Sequence, residues 1–185
     1  MTKKCPVCKD RNLTETTLQD GLLANQCENC HGIWISSTSY FAWLKLHGPD
    51  LPTKEADKKI VPQWGTKELK LCPDCGKILS RYKVFPNQEF FLDHCGSCNG
   101  VWFDQNEWEY LAAQNLHDNV NSFFTKPWQK HIHEEETKVV LDKLYLERFG
   151  EDDYARLKEF QKWLASHPQR SMMLAYLQAD DPHKV

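Results

Sequence analysis

Long apolar runs, surplus positive charge and unpaired cysteines are all missing from this chain of 185 residues. No run approaches the roughly 18 apolar residues of a membrane span, so no role inside a membrane is expected. Lys and Arg number 23 against 26 Asp and Glu, and the chain therefore lacks the basic excess that supplies non-specific affinity for phosphate backbones. It contains no glycine-rich phosphate loop and no nucleophile–base constellation, the usual sequence signs of nucleotide-binding and acyl-transfer enzymes. Only Met1-Thr2-Lys3-Lys4 precede the first cysteine. That leaves no room for the apolar core and cleavage site of a secretory signal, and the expected compartment is the reducing cytoplasm.

Cysteine, by contrast, occurs eight times and never alone. Cys5/Cys8 and Cys27/Cys30 make one set of two Cys-x-x-Cys pairs, and Cys72/Cys75 and Cys95/Cys98 make a second, with 18 and 19 residues between the pairs. The flanks agree as well: Cys5-Pro6-Val7-Cys8 matches Cys72-Pro73-Asp74-Cys75, and Cys30-His31-Gly32-Ile33-Trp34 matches Cys98-Asn99-Gly100-Val101-Trp102. A shift of 67 to 68 residues thus relates two whole modules. Modules of this size need a staple, and among reduced thiols the staple is metal.

Two Cys-x-x-Cys knuckles complete a tetrahedron of four thiolates. Such a site is closed to water, so it stabilises a fold and hydrolyses nothing. Zinc is the expected metal, one ion per site, and iron in a rubredoxin-like centre is the less favoured choice. Zinc binding to small modules is worth about 10–16 kcal/mol, more than their own stability, so losing one ligand is expected to unfold a module. A thiol oxidoreductase would need one reactive pair at a helix N-terminus, which four pairs in repeated register fit poorly. A disulfide framework would need an oxidising compartment. Filling both sites also alters the charge. Each adds four thiolates and one doubly positive ion, a net of −2, so the formal −3 of the chain becomes −7. Residues 1–48 carry five basic and four acidic side chains and residues 66–117 five and seven, so neither module is a basic patch.

Other candidates read as bystanders. His31 and His94 adjoin ligand cysteines, but four positions are already filled. His131-Ile132-His133-Glu134-Glu135-Glu136 resembles a metal cluster; on a helix, however, residues two apart do not share a face, and a solvated helix start is expected. Trp34 and Trp102 occupy matching positions and are expected to fill the small cores, the sharper alternative being an exposed platform for nucleobases.

The first module spans 1–48, with a helix from Thr38 to His47 capped by Ser36 or Ser37 and stopped by Gly48-Pro49. Residues 49–66, with three prolines in the stretch, read as a linker. The second module spans 67–117, with a hairpin between Lys77 and Asp93 broken at Pro86-Asn87. Its helix start is expected to be the stronger of the two, because Asp104-Gln105-Asn106-Glu107 forms a capping-box pattern. Residues 118–185 carry no cysteine and read as helical, with helices over Ile132 to Phe149, from Asp152 or Asp153 to before His167-Pro168, and through Met172 to Leu177 with Pro168 in its first turn.

The segment from Cys72-Pro73-x-Cys75 through Cys95-x-x-Cys98-x-Gly100-Val101-Trp102-Phe103-Asp104-x-x-Glu107 closely resembles the TFIIB-type zinc-finger (zinc-ribbon) family of bacterial proteins. The first module resembles it too, departing where Ser36 and Ser39 stand for Asp104 and Glu107, which is expected to weaken its helix start. The helical region carries no such resemblance. The resemblance implies a small β-sheet, two knuckles and one structural zinc per copy. The expected fold is therefore a small metal-stabilised α+β protein, two tandem zinc ribbons of hairpins each followed by a short helix, plus a C-terminal α-helical region. The expected function is that of a non-enzymatic protein-binding adaptor or regulator. The family's association with transcription makes nucleic-acid binding the alternative, which the charge opposes, and a redox or metal-handling role is third. Elemental analysis of the purified protein is expected to give two zinc ions per chain, with no visible absorption from iron.

Overall fold

A computed structural model of the chain describes residues 2–47 and 68–183. The linker 49–66, the Gly48-Pro49 stop and Trp64 lie outside the described residues. The chain forms two compact units, Met1–Glu135 and Glu136–Val185.

The first unit contains both cysteine modules. In chain order its elements are β1 (Thr14–Thr17), a 3-10 turn (Gln19–Gly21), β2 (Leu23–Gln26), β3 (Ile33–Ile35), α1 (Ser37–His47), β4 (Ser80–Lys83), β5 (Phe91–His94), β6 (Val101–Phe103), α2 (Glu107–Ala113), a 3-10 segment (Val120–Phe124) and the first turns of α3 (Lys126–Phe149). The expected hairpin of the second module is β4–β5. The two modules do not keep separate sheets. All six strands form one antiparallel sheet in the order β1-β2-β3-β6-β5-β4, closed at the centre by the pairs Ile33↔Phe103, Trp34↔Trp102 and Ile35↔Val101. The sequence repeat has become a pseudo-two-fold axis between the tryptophans.

Alternation along the strands sorts the side chains onto two faces. Ile-Trp-Ile in β3 and Val-Trp-Phe in β6 send the tryptophans to one face, where they pack with Leu79 and the metal-site cysteines. The aliphatic residues and Phe103 go to the other, where α1, α2 and the 3-10 segment bury Tyr40, Trp43, Trp108, Leu111, Val120 and Phe123 against them. The first unit thus runs on past residue 117: Trp128 Nε1 and Gln129 Nε2 donate to the carbonyls of Val84 and Lys83 at 3.2 and 2.8 Å. These bonds fix the first turns of α3, which begins at Lys126, six residues before the expected Ile132.

The helix starts reverse the expected ranking. Ser36 Oγ accepts the N–H of Ser39 at 3.1 Å and caps α1, which is 11 residues long. In the second module only half of the capping box forms: Glu107 accepts the Asp104 N–H at 2.7 Å. The Asp104 carboxylate is bound to Lys70 and Trp102 instead. The chain therefore takes a left-handed step at Asn106, and α2 begins only at Glu107, with 7 residues.

The second unit comprises the remainder of α3, α4 (Glu151–Ala165) and α5 (Arg170–Gln178). Pro168 lies ahead of α5 rather than in its first turn, since Gln169 is the residue before the helix. The Tyr154 ring meets those of Tyr145 and Phe149, and its hydroxyl donates to Asp142.

Gly32 and Gly100 hold the centre of the first unit. A Cβ at residue 32 would fall 2.2 Å from Cζ2 of Trp102, and one at residue 100 would fall 2.2 Å from Cζ2 of Trp34. Each module's glycine is the seat of the other module's tryptophan. Gly32→Ala is accordingly expected to cost at least the roughly 1–3 kcal/mol of overpacking a dense core, and thermal unfolding should show both modules melting earlier together.

Candidate metal centre

Each Cys-x-x-Cys pair is closed by a backbone turn. The residue after the second cysteine donates its N–H to the carbonyl of the first: Lys9 to Cys5, His31 to Cys27 and Gly76 to Cys72 at 2.9 Å, and Asn99 to Cys95 at 2.8 Å. All four donors are left-handed, with φ of 61°, 55°, 70° and 56°. Gly enters that region freely, Asn and His more readily than most residues, and Lys at more cost. This gives His31 a backbone role and no ligand role. The turns aim further N–H groups at the sulfurs. Cys5 accepts from Val7 and Cys8, Cys27 from Asn29 and Cys30, Cys72 from Asp74 and Cys75, and Cys95 from Ser97 and Cys98. Cys30 and Cys98 each accept from the glycine two residues on. The two sites therefore share one donor pattern.

Within each site the four sulfurs lie within 4.8 Å of one another. Cys5 and Cys30 are 3.6 Å apart, Cys8 and Cys27 3.8 Å, Cys72 and Cys98 3.5 Å, and Cys75 and Cys95 3.5 Å. A tetrahedron with metal–sulfur bonds of about 2.3 Å has edges of about 3.8 Å, whereas a disulfide would need about 2.05 Å. All eight cysteines are free. The residues present fit zinc, one ion in each set of four cysteines. Burial pushes the Cys5 and Cys72 thiols well up and Cys30 up to about 11. Burial raises Cys95 as well, but the N–H groups of Cys98 and Ser97, together with hydrogen bonds from the Cys75 and Cys98 thiols, outweigh it and bring that thiol down to about 7. A bound ion displaces these thiol protons, so acid competes with metal.

Residues 4–46 and 71–114 match the family described as the transcription factor zinc-finger, the TFIIB zinc ribbon. The chain carries two tandem zinc ribbons. Comparison with curated proteins and with solved structures gives no match. Among the described residues, only the two tetracysteine sets gather three or more metal-binding side chains. His94 turns to the helical face and stacks on Phe124, with centroids 4.2 Å apart. His131 and His133 are exposed on either side of the buried Ile132. Trp34 and Trp102 are fully buried, so neither is a stacking platform.

Sequence reading missed the wiring between the ribbons. Trp34 Nε1 donates to Asp74 at 2.9 Å, and Lys3 pairs with the same carboxylate at 2.9 Å. Asp74 sits inside the Cys72–Cys75 knuckle, so the first ribbon bonds directly to the second ribbon's metal loop. The signal was the lone acidic residue within that knuckle. A second omission is Lys70, only 2% exposed, whose Nζ lies 2.6 Å from both Asp93 and Asp104. Burial alone would lower its pKa, but the two carboxylates raise it.

Glu107 completes this cluster, leaving one ammonium among three carboxylates. Burial, with Asp104 beside it, holds the Glu107 carboxyl well above the usual range. A folded-state pKa above the unfolded value means that the fold loses stability as pH rises through the folded pKa. Glu107→Gln keeps an acceptor for the Asp104 N–H and removes the charge. Its thermal midpoint relative to the unaltered protein is expected to be higher at pH 8 than at pH 6, and a difference that stays flat or reverses would contradict the buried-carboxyl account.

Proposed function

We propose that this zinc-binding protein is a non-enzymatic adaptor or regulator whose ribbons dock another protein. A groove between the two N-terminal knuckles carries the reading. It is lined by Lys4, Pro6, Lys9, Leu69, Leu71 and Pro73, among others. Leu69 and Leu71 are exposed, and so is Ile78, bridged to Leu71 across the knuckle. Exposed leucines held on a metal-stapled frame offer an apolar anchor point at little ordering cost, the property that favours binding between proteins. Lys4 at the groove suits a peptide with an acidic flank, Lys9 being paired with Glu68 at 3.2 Å.

Further support comes from what the metal sites leave out. Four thiolates fill each tetrahedron, so no position remains for water or substrate. A nucleic-acid partner would need free lysines for phosphates and exposed aromatic rings for bases. Lys70 is consumed by Asp93 and Asp104, Lys83 lies 3.3 Å from Glu89, and both ribbon tryptophans are interior. Affinity purification of the zinc-loaded chain from its native host is expected to capture a protein, and Leu69→Asp with Leu71→Asp to lose it while keeping both zinc ions. Tight, salt-sensitive mobility shifts with DNA or RNA, without protein capture, would overturn the reading.

A further inference from the structure

We propose that residues 136–178, the helical unit, are a self-association module that pairs two copies of this chain. The inference uses other elements than the ribbon groove and stands or falls apart from the adaptor reading.

Seven of the eleven side chains from 139 to 149 are large and apolar. Successive residues on a helix step by about 100°, so Val139, Val140 and Leu141 alone point in three directions. All seven are exposed, from 37% at Leu144 to 66% at Val140. A helix with large apolar side chains on every side, between its charges, needs neighbours on more than one side to cover them. The helix α4 supplies one neighbour, through Tyr154 against Tyr145 and Phe149. It carries an unpartnered face of its own in Leu157, Phe160 and Trp163, spaced three residues apart and likewise exposed. Among the described residues of this unit, Leu164 is the one buried apolar side chain. Two α3–α4 hairpins packed together give every helix a second neighbour, as in a four-helix bundle.

Charge argues for a second copy as the occupant. Residues 136–185 hold nine acidic and eight basic side chains with the signs interleaved, which suits neither a polyanion nor a strongly basic partner. The pattern also reverses about Tyr145. Asp142 and Lys143 precede it by three and two residues, while Glu147 and Arg148 follow it by two and three. In an antiparallel pair centred there, Asp142 of one copy comes level with Arg148 of the other and Leu141 with Phe149, all within about 60° of Tyr145 around the helix, whereas Lys143 and Glu147 lie on the far side. Such reciprocity is what a two-fold interface requires. The area suffices as well. Tyr145, Phe149, Phe160 and Trp163 are 38%, 45%, 41% and 51% exposed. At about 150–250 Å² each when fully buried, they leave roughly 350 Å² to cover. The exposed aliphatic side chains add at least as much, which reaches the roughly 600–1,000 Å² per partner of a stable interface.

Sedimentation equilibrium of the full, zinc-loaded chain at micromolar concentration is expected to give twice the 21.7 kDa of one copy. Leu144→Glu on α3 and Phe160→Glu on α4 should each halve that mass with zinc unchanged at two per chain. Loss of helical circular dichroism on dissociation counts as the same result, since these helices have no core of their own. A monomeric unaltered protein, or a dimer that survives both substitutions, overturns the proposal.

Discussion

Trp34 and Trp102 can lie side by side at the centre of one sheet only because residues 32 and 100 have no side chain. That steric condition couples everything else in the first unit. Each glycine stands two residues beyond a ligand cysteine, and its carbonyl accepts the N–H of Cys27 or Cys95 at 2.9 Å. The backbone that closes one metal knuckle is thus the same backbone that receives the opposite ribbon's indole.

This arrangement gives two small modules a joint interior. Neither a three-stranded ribbon nor a short helix buries much by itself. Pairing β3 with β6 places two tryptophans and both metal sites on one face of a six-stranded sheet, and leaves the opposite face for α1, α2 and the 3-10 segment. The symmetry is incomplete at the polar contacts. Trp102 donates within its own ribbon to Asp104, whereas Trp34 crosses to Asp74. The second ribbon also holds the buried Lys70 cluster, for which the first has hydroxyls at Ser36 and Ser39. The repeat preserved the metal chemistry while its polar support diverged.

The metal ligands were legible because spacing and residue type suffice for them: Cys-x-x-Cys twice per module leaves little other chemistry for a reduced thiol. The helices of 118–185 were legible by their period, although the start of α3 was not, since it depends on bonds from Trp128 and Gln129 to a strand more than forty residues earlier. The ranking of the two helix starts failed for a similar reason. The capping-box pattern at Asp104 is a local signal, and a distant lysine took the carboxylate that the local rule assigned to the cap.

The sequence by itself determined two tetrathiolate sites, their fourfold knuckle pattern and the division between a cysteine-bearing portion and a helical one, because ligand geometry and helical period act over a few residues. Only the tertiary structure decided that the two ribbons share one sheet, that Gly-x-Trp joins one module to the other, and that Lys70 and Asp74 serve the interior. Those outcomes depend on which β-edges meet and which buried charges find partners. They are set by contacts between residues some 20 to 70 positions apart, such as Lys70 with Asp93, Trp34 with Asp74 and Trp34 with Trp102, and no local pattern encodes them.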